Sequence, residues 1–123
     1  MNWTVHFTDE FDAEFLEFEL AVQREITALA ELLSEFGPHL KRPSCDTLSG
    51  SNFTNMKELR FSAANGTWQL AFAFDPKRSA ILLVAGSKAG ISQQLFYKRL
   101  IAKADKRFAD HLDKFKRLDR KKP

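Results

Sequence analysis

Basic side chains set on an apolar scaffold are the most chemically suggestive feature of this 123-residue sequence. Arg60, Arg78 and Lys88 lie within the stretch 55–90, where alternating and continuous apolar runs mark three strands. Guanidinium and ammonium groups held this way suit a polyanion such as a nucleic acid. Arg60 shares a strand face with Glu58, opposite Leu59 and Phe61, so it is expected to point away from the core. Lys57 falls on the apolar side near the start of that strand, where its stem can follow the core and its amine reach water. Arg78 occupies a hairpin turn and Lys88 follows a strand end, positions where exposure is ordinary. In the last helical segment Lys98 and Arg99 lie mostly off the apolar stripe, whereas Tyr97 falls near its middle, which on periodicity alone favours a core tyrosine.

Other chemistries find little support. His6, His39 and His111 are scattered and Cys45 is the sole cysteine, so no metal site is expected. Glu14, Glu17 and Glu19 read as the solvent face of an amphipathic helix. Gly86-Ser87-Lys88-Ala89-Gly90 lacks the spacing and the Lys-Ser/Thr ending of a nucleotide-binding loop, although small residues there let backbone N–H groups approach an anion.

These side chains need elements to position them. Met56–Ser62 alternates, Thr67–Phe74 carries large apolar residues at every second position, and Ser79–Ala85 is apolar without a break. Asn65-Gly66 and Asp75-Pro76-Lys77-Arg78 supply the two turns, which predicts a three-stranded antiparallel meander. Trp3, Val5 and Phe7 predict a short opening strand paired with it. Thr8 or Asp9 can cap a helix whose apolar positions run from Phe11 to Phe36, ending at Gly37-Pro38. The pattern fits one long helix or a hairpin bent between Glu17 and Val22, and no Gly or Pro chooses between them. Pro38–Asn55 has loop composition, and Ser92 caps a final helix with a basic tail over about 117–123.

The length fits one domain. No apolar run approaches the roughly 20 residues that span a bilayer, and the opening residues do not resemble a signal peptide, so a cytoplasmic protein with no membrane partner is expected. The net charge of +3 hides a segregation: residues 1–40 hold nine acids against one base, a net −8, and residues 41–123 hold eighteen bases against seven acids, a net +11. The basic part suits a nucleic acid and the acidic part a basic protein.

A series of signatures runs along the chain: Gly37-Pro38, Arg42-Pro43, Asp46–Ser51, Asn55–Arg60, Ala73–Arg78, Ala80–Lys88 and Phe96–Ile101. In order and spacing these closely resemble the HigB-type branch of the RelE/ParE toxin superfamily. The resemblance implies an α+β, RelE-like fold, with an N-terminal helical hairpin packed on a small antiparallel sheet and a C-terminal helix. It also implies the toxin of a bacterial type II toxin-antitoxin system, a ribosome-dependent, metal-independent mRNA endonuclease that needs no cofactor. The implied partners are the ribosome, mRNA and a helix-turn-helix antitoxin, with operator DNA reached indirectly through that antitoxin. By resemblance Arg60 and Lys88 stabilise the phosphate, Tyr97 and Lys57 orient groups or exchange protons, Arg78, Lys98 and Arg99 hold RNA phosphates, and Asp46 is a candidate base.

The chain departs from that pattern at three places. Gln69 stands where related sequences place an arginine after the tryptophan of the second meander strand, Asn52-Phe53 replaces a basic-aromatic pair, and Ser87 replaces an acid. An amide cannot supply a guanidinium's charge to a phosphate. The alternatives are a non-enzymatic ParE-like inhibitor and a catalytically weakened RNA- or antitoxin-binding module.

Overall fold

The computed structural model describes residues 2–40 and 45–121; the Arg42-Pro43 signature lies outside them. Strand β1 (Thr4–Phe7) leads into helices α1 (Asp9–Glu17) and α2 (Leu20–Phe36). Strands β2 (Cys45–Thr47), β3 (Met56–Ala63), β4 (Gly66–Phe74) and β5 (Ser79–Ser87) follow, and helix α3 spans Gln93–Lys121. The sheet order is β1-β5-β4-β3-β2. All neighbours are antiparallel except β1, which runs parallel to β5, so the small antiparallel sheet expected from sequence gains a parallel edge.

The helical hairpin is the bent alternative, and its break is made by side-chain chemistry rather than by Gly or Pro. Thr8 caps α1 by accepting the Phe11 N–H at 3.2 Å, above a first turn that carries Asp9, Glu10 and Asp12. Phe18 and Glu19 are both extended, and the Gln23 side chain reaches back from α2 to donate to the Phe18 carbonyl at 2.9 Å. That bond satisfies an acceptor left over at the end of α1. Because Phe18 and Val22 keep a spacing of four across the bend, the apolar pattern runs on as if the helix did.

Two apolar layers hold the sheet. On one face Phe11, Val22, Ile26, Leu29 and Leu33 of the hairpin pack on Leu59, Phe61, Leu70, Phe72 and Leu82. On the other, Phe96, Leu100, Ala104 and Phe108, spaced by four along α3, pack on Met56, Ala71, Ala73, Ile81 and Leu83. The second layer corrects one expectation: the polar face of β3 is not open to water, because α3 covers part of it and Glu58 is 3% exposed. It also shifts the apolar stripe of α3 to a line through Phe96, which leaves Tyr97 half-buried at its border.

Several local expectations are also revised. Ala64 and Asn65, both at positive φ, form the β3–β4 turn, and Gly66 already pairs with Ala63. The stretch read as loop contains a 3₁₀ turn (Gly37–His39) and β2, whose three residues are too short to show a period. The basic tail is helical as far as Lys121. Ser92 does cap α3, accepting the Leu95 N–H at 3.1 Å.

Candidate active site

The site forms where the polar face of β3 emerges from beneath the start of α3. Alternation along β3 sends Met56 into the α3 layer and places Glu58 and Arg60 on the same side, while Leu59 and Phe61 anchor the strand in the hairpin layer. Glu58 is buried, and a single oxygen of its carboxylate accepts two bonds. Arg60 Nε donates to Glu58 Oε1 at 2.8 Å, and the Tyr97 hydroxyl donates to the same atom at 2.9 Å. The Arg60 side chain is 53% exposed against 4% for Glu58, so a buried carboxylate fixes a guanidinium whose remaining donors face solvent.

The electrostatics follow from that geometry. The bond to Glu58, reinforced by its charge, holds Arg60 above its ordinary pKa. Burial first, and then the Glu58 bond and charge, push the Tyr97 phenol up, with the Arg60 cation opposing them. Tyr97 is therefore neutral across the physiological range.

The neighbouring strands complete the floor. Arg60 pairs across the ladder with Gln69, and Gln69 with Gly86. Gly86 lets Phe96 lie close: an added Cβ would stand 3.2 Å from that ring, which in turn meets Tyr97 edge-on with centroids 5.3 Å apart. Gln69 is 2% exposed, and among the described residues its Oε1 has no hydrogen-bond partner. The amide that departs from the usual arginine thus lies in the middle of the floor, beside Arg60. Lys88 follows the end of β5 nearest Gly86, half-buried, with Nζ 3.5 Å from Gln93 Oε1. Asp46 stands opposite Glu58 in the β2–β3 register, and its Oδ1 accepts the Thr47 N–H at 2.8 Å.

The other sequence-derived candidates are spread more widely. Alternation puts Lys57 on the hairpin side of the sheet, away from Arg60 and Tyr97, where its charge partly counters the burial that raises the Cys45 thiol. Arg78 lies at the far end of β4 from Gln69, at φ +64, with its guanidinium 4.6 Å from the Trp3 ring centroid. Lys98 and Arg99 are exposed on α3, and Arg99 lines a shallow groove with Lys103, Ile91 and Phe96 above Val84–Gly86. The residue that sequence reasoning passed over is Glu58. Its signal was an acid two places from Arg60 in a strand that could be covered on both sides.

No metal-binding group of three His, Cys, Asp or Glu side chains occurs among the described residues, nor is any helix there long and apolar enough to cross a membrane.

Comparison with known proteins agrees with this architecture. Residues 13–109 match the family described as Phage derived protein Gp49-like (DUF891). The chain is 47% identical over 103 residues to a Mycobacterium tuberculosis (strain ATCC 25618 / H37Rv) protein named "Putative toxin HigB2", covering 79% of this chain and 51% of that protein. It is 45% identical over 82 residues to "Putative toxin HigB3" of the same organism, covering 67% of this chain and 69% of that protein. The chain thus spans about half the length of the first relative and over two thirds of the second. A solved structure of an Escherichia coli toxin RelE mutant in the free state superposes with a TM-score of 0.61 at 12% identity, covering 87% of this chain and 98% of that one, a likeness of fold. The chain belongs to the Gp49-like family, is of the HigB type, and has the RelE-like fold.

Proposed function

We propose that this protein is the toxin of a bacterial type II toxin-antitoxin pair and acts as a ribosome-dependent mRNA endonuclease. The observation that carries the reading is the convergence of Arg60 and Tyr97 on one buried Glu58 oxygen, which presents a fixed cation beside a phenol at the sheet's rim. RNA cleavage by its own 2′-hydroxyl needs an aligned nucleophile, proton transfer, and cations for the phosphorane, with no metal or cofactor among its requirements. In this reading Arg60 and Lys88 face the phosphate, and Lys98 and Arg99 hold RNA or ribosomal phosphates beside them. Arg78, at the other end of the meander, serves docking, and Lys57, on the opposite face of the sheet from Tyr97, supports the strand. A helix-turn-helix antitoxin neutralises the toxin, reaches operator DNA, and finds complementary charge on either the basic rim or the acidic hairpin.

A non-enzymatic inhibitor of the ParE kind is the second reading, favoured by the neutral Gln69 where a phosphate-binding guanidinium would otherwise stand. Expression of the chain in a bacterium, with cut sites mapped on translated and untranslated messages, separates the two. Cuts confined to translated codons support the endonuclease; growth arrest with intact messages rejects it.

A further inference from the structure

The Glu58–Tyr97 bond has a direction that bears on how the 2′-hydroxyl is activated. The phenol donates its only proton to Glu58 Oε1, and although the Arg60 guanidinium also bonds the Tyr97 oxygen, that oxygen has a second lone pair with which to accept a proton. We propose that Tyr97 and Glu58 form a two-step proton relay in which Tyr97 takes the proton of the RNA 2′-hydroxyl as it passes its own to the buried carboxylate. The proposal rests on the endonuclease reading above and assigns its base.

The balance closes without a further reagent. The bond from the 2′-oxygen to phosphorus forms and the bond from phosphorus to the 5′-oxygen breaks, giving a cyclic phosphate. The 2′-hydroxyl proton moves to the Tyr97 oxygen, and the Tyr97 proton moves to Glu58 Oε1. The departing 5′-oxygen takes a proton from water, and Glu58 then returns its own proton to the resulting hydroxide.

Two features of the site favour this route. Tyr97 cannot act as a base by ionising first, because burial and the Glu58 charge both oppose the phenolate. A relay avoids that species, since the phenol is neutral before and after. Arg60 also bonds the oxygen that receives the proton. When Glu58 becomes neutral, the guanidinium loses its counter-charge at the moment the phosphorane gains negative charge, and its attraction turns toward the substrate. Glu58 acts through Tyr97 and touches no substrate atom.

The charged groups around the pair are few and come from three elements. Arg60 flanks Glu58 on β3 and Asp46 stands opposite it on β2. Lys98 and Arg99 follow Tyr97 on α3, and Asp105, two turns on, is bound to Ser51 and the Asn52 N–H.

The chain has a single tyrosine, so the near-ultraviolet absorbance of phenolate reports Tyr97 alone. The experiment combines that titration with cleavage of a translated message by wild type, Glu58→Gln, Tyr97→Phe and the double variant. Glu58→Gln keeps an acceptor oxygen of nearly the same shape but cannot take up a proton. The expected results are a Tyr97 midpoint moved to lower pH, cleavage lower by on the order of 10²- to 10⁴-fold, and a double variant no worse than either single one. Should Glu58→Gln not fold, Glu58→Asp keeps the charge beside Arg60 but withdraws the oxygen from the phenol, and a smaller fall in the Tyr97 midpoint is expected with the same loss of cleavage. Near-wild-type cleavage by folded Glu58→Gln, or additive losses in the double variant, would overturn the relay while leaving the endonuclease in place. If wild type cuts no message, the function and the relay fall together, and the titration still shows whether the Glu58–Tyr97 bond exists.

Discussion

Arg60 and Gln69 stand side by side on the floor of the site, yet their environments differ in kind. Arg60 is anchored by charge and opens to solvent, whereas Gln69 is buried and its oxygen has no partner among the described residues. A buried acceptor without a partner costs about 1–3 kcal/mol, so Gln69→Met, which keeps the volume and removes that atom, should raise the melting temperature by a few degrees. Thermal unfolding of the two proteins followed by circular dichroism checks this. An unchanged or lower midpoint would mean that the oxygen is satisfied in solution. Arg78 offers a contrast in role. Its guanidinium lies over Trp3, an exposed contact worth about 0.5–1 kcal/mol, and it is remote from Tyr97. Arg78→Ala should therefore leave the rate of cleavage by ribosome-bound toxin unchanged while weakening ribosome association, which single-turnover kinetics at saturating and limiting ribosome separates.

Among the elements, the ends of the two N-terminal helices depend on contacts that hydrophobic spacing does not encode. Gln23→Ala should untie the Phe18 carbonyl and cost about 1 kcal/mol, read as a shift in the denaturant midpoint. Gly37→Ala should cost more, because Gly37 sits at φ +53 and an added Cβ would collide with the Trp3 indole. The meander and both long amphipathic faces were legible in the sequence because their periods are strong and uninterrupted. The bend at Phe18-Glu19 was not decided, since a spacing of four persists through two extended residues. Strand β2 escaped notice because it is three residues long and borrows its register from β3. The site was half legible for a related reason. Alternation alone located Arg60, but it could not tell a solvated face from one roofed by a later helix, and so Glu58 read as surface. Tyr97 was drawn toward the core by counting the stripe from the wrong residue.

At the scale of the whole molecule, the acidic and basic parts of the chain are joined as well as separated. Arg107 of α3 grips Glu14 of α1 with two bonds, at 2.8 and 2.7 Å, and donates to the Leu83 carbonyl at 2.7 Å. Leu83 is the extra residue where the β4–β5 register shifts between Ala71 and Phe72, so the guanidinium bonds a carbonyl at an irregularity of the ladder. The Arg107 bond lowers the Glu14 pKa against the opposing effect of burial. A carboxylate depressed by folding stabilises the protein above its unfolded pKa, and that stabilisation is lost as pH falls through the folded value. Wild type should thus lose more thermal stability than Glu14→Gln between neutral pH and a pH below the ordinary carboxylate range, with the two curves converging in acid. Parallel curves would show the pair to be inert. The basic remainder of the chain should make ribosome association fall steeply with salt, as released counterions favour RNA binding.

The proposed endonuclease needs Arg60 as the cation that meets the scissile phosphate. The direct measurement is cleavage of a translated message by purified wild type, Arg60→Ala and Arg60→Lys, each with its melting temperature. Loss of one preorganised transition-state donor should reduce turnover by on the order of 10²- to 10³-fold in Arg60→Ala. Arg60→Lys should recover part of that loss, because an ammonium keeps the charge without the fork. Arg60→Ala strips the buried Glu58 of its counter-charge and should lower the melting temperature, whereas Arg60→Lys keeps a cation there, so cleavage is compared at a temperature where all three proteins are folded. Folded Arg60→Ala cutting the same codons at the wild-type rate would rule out that role for Arg60.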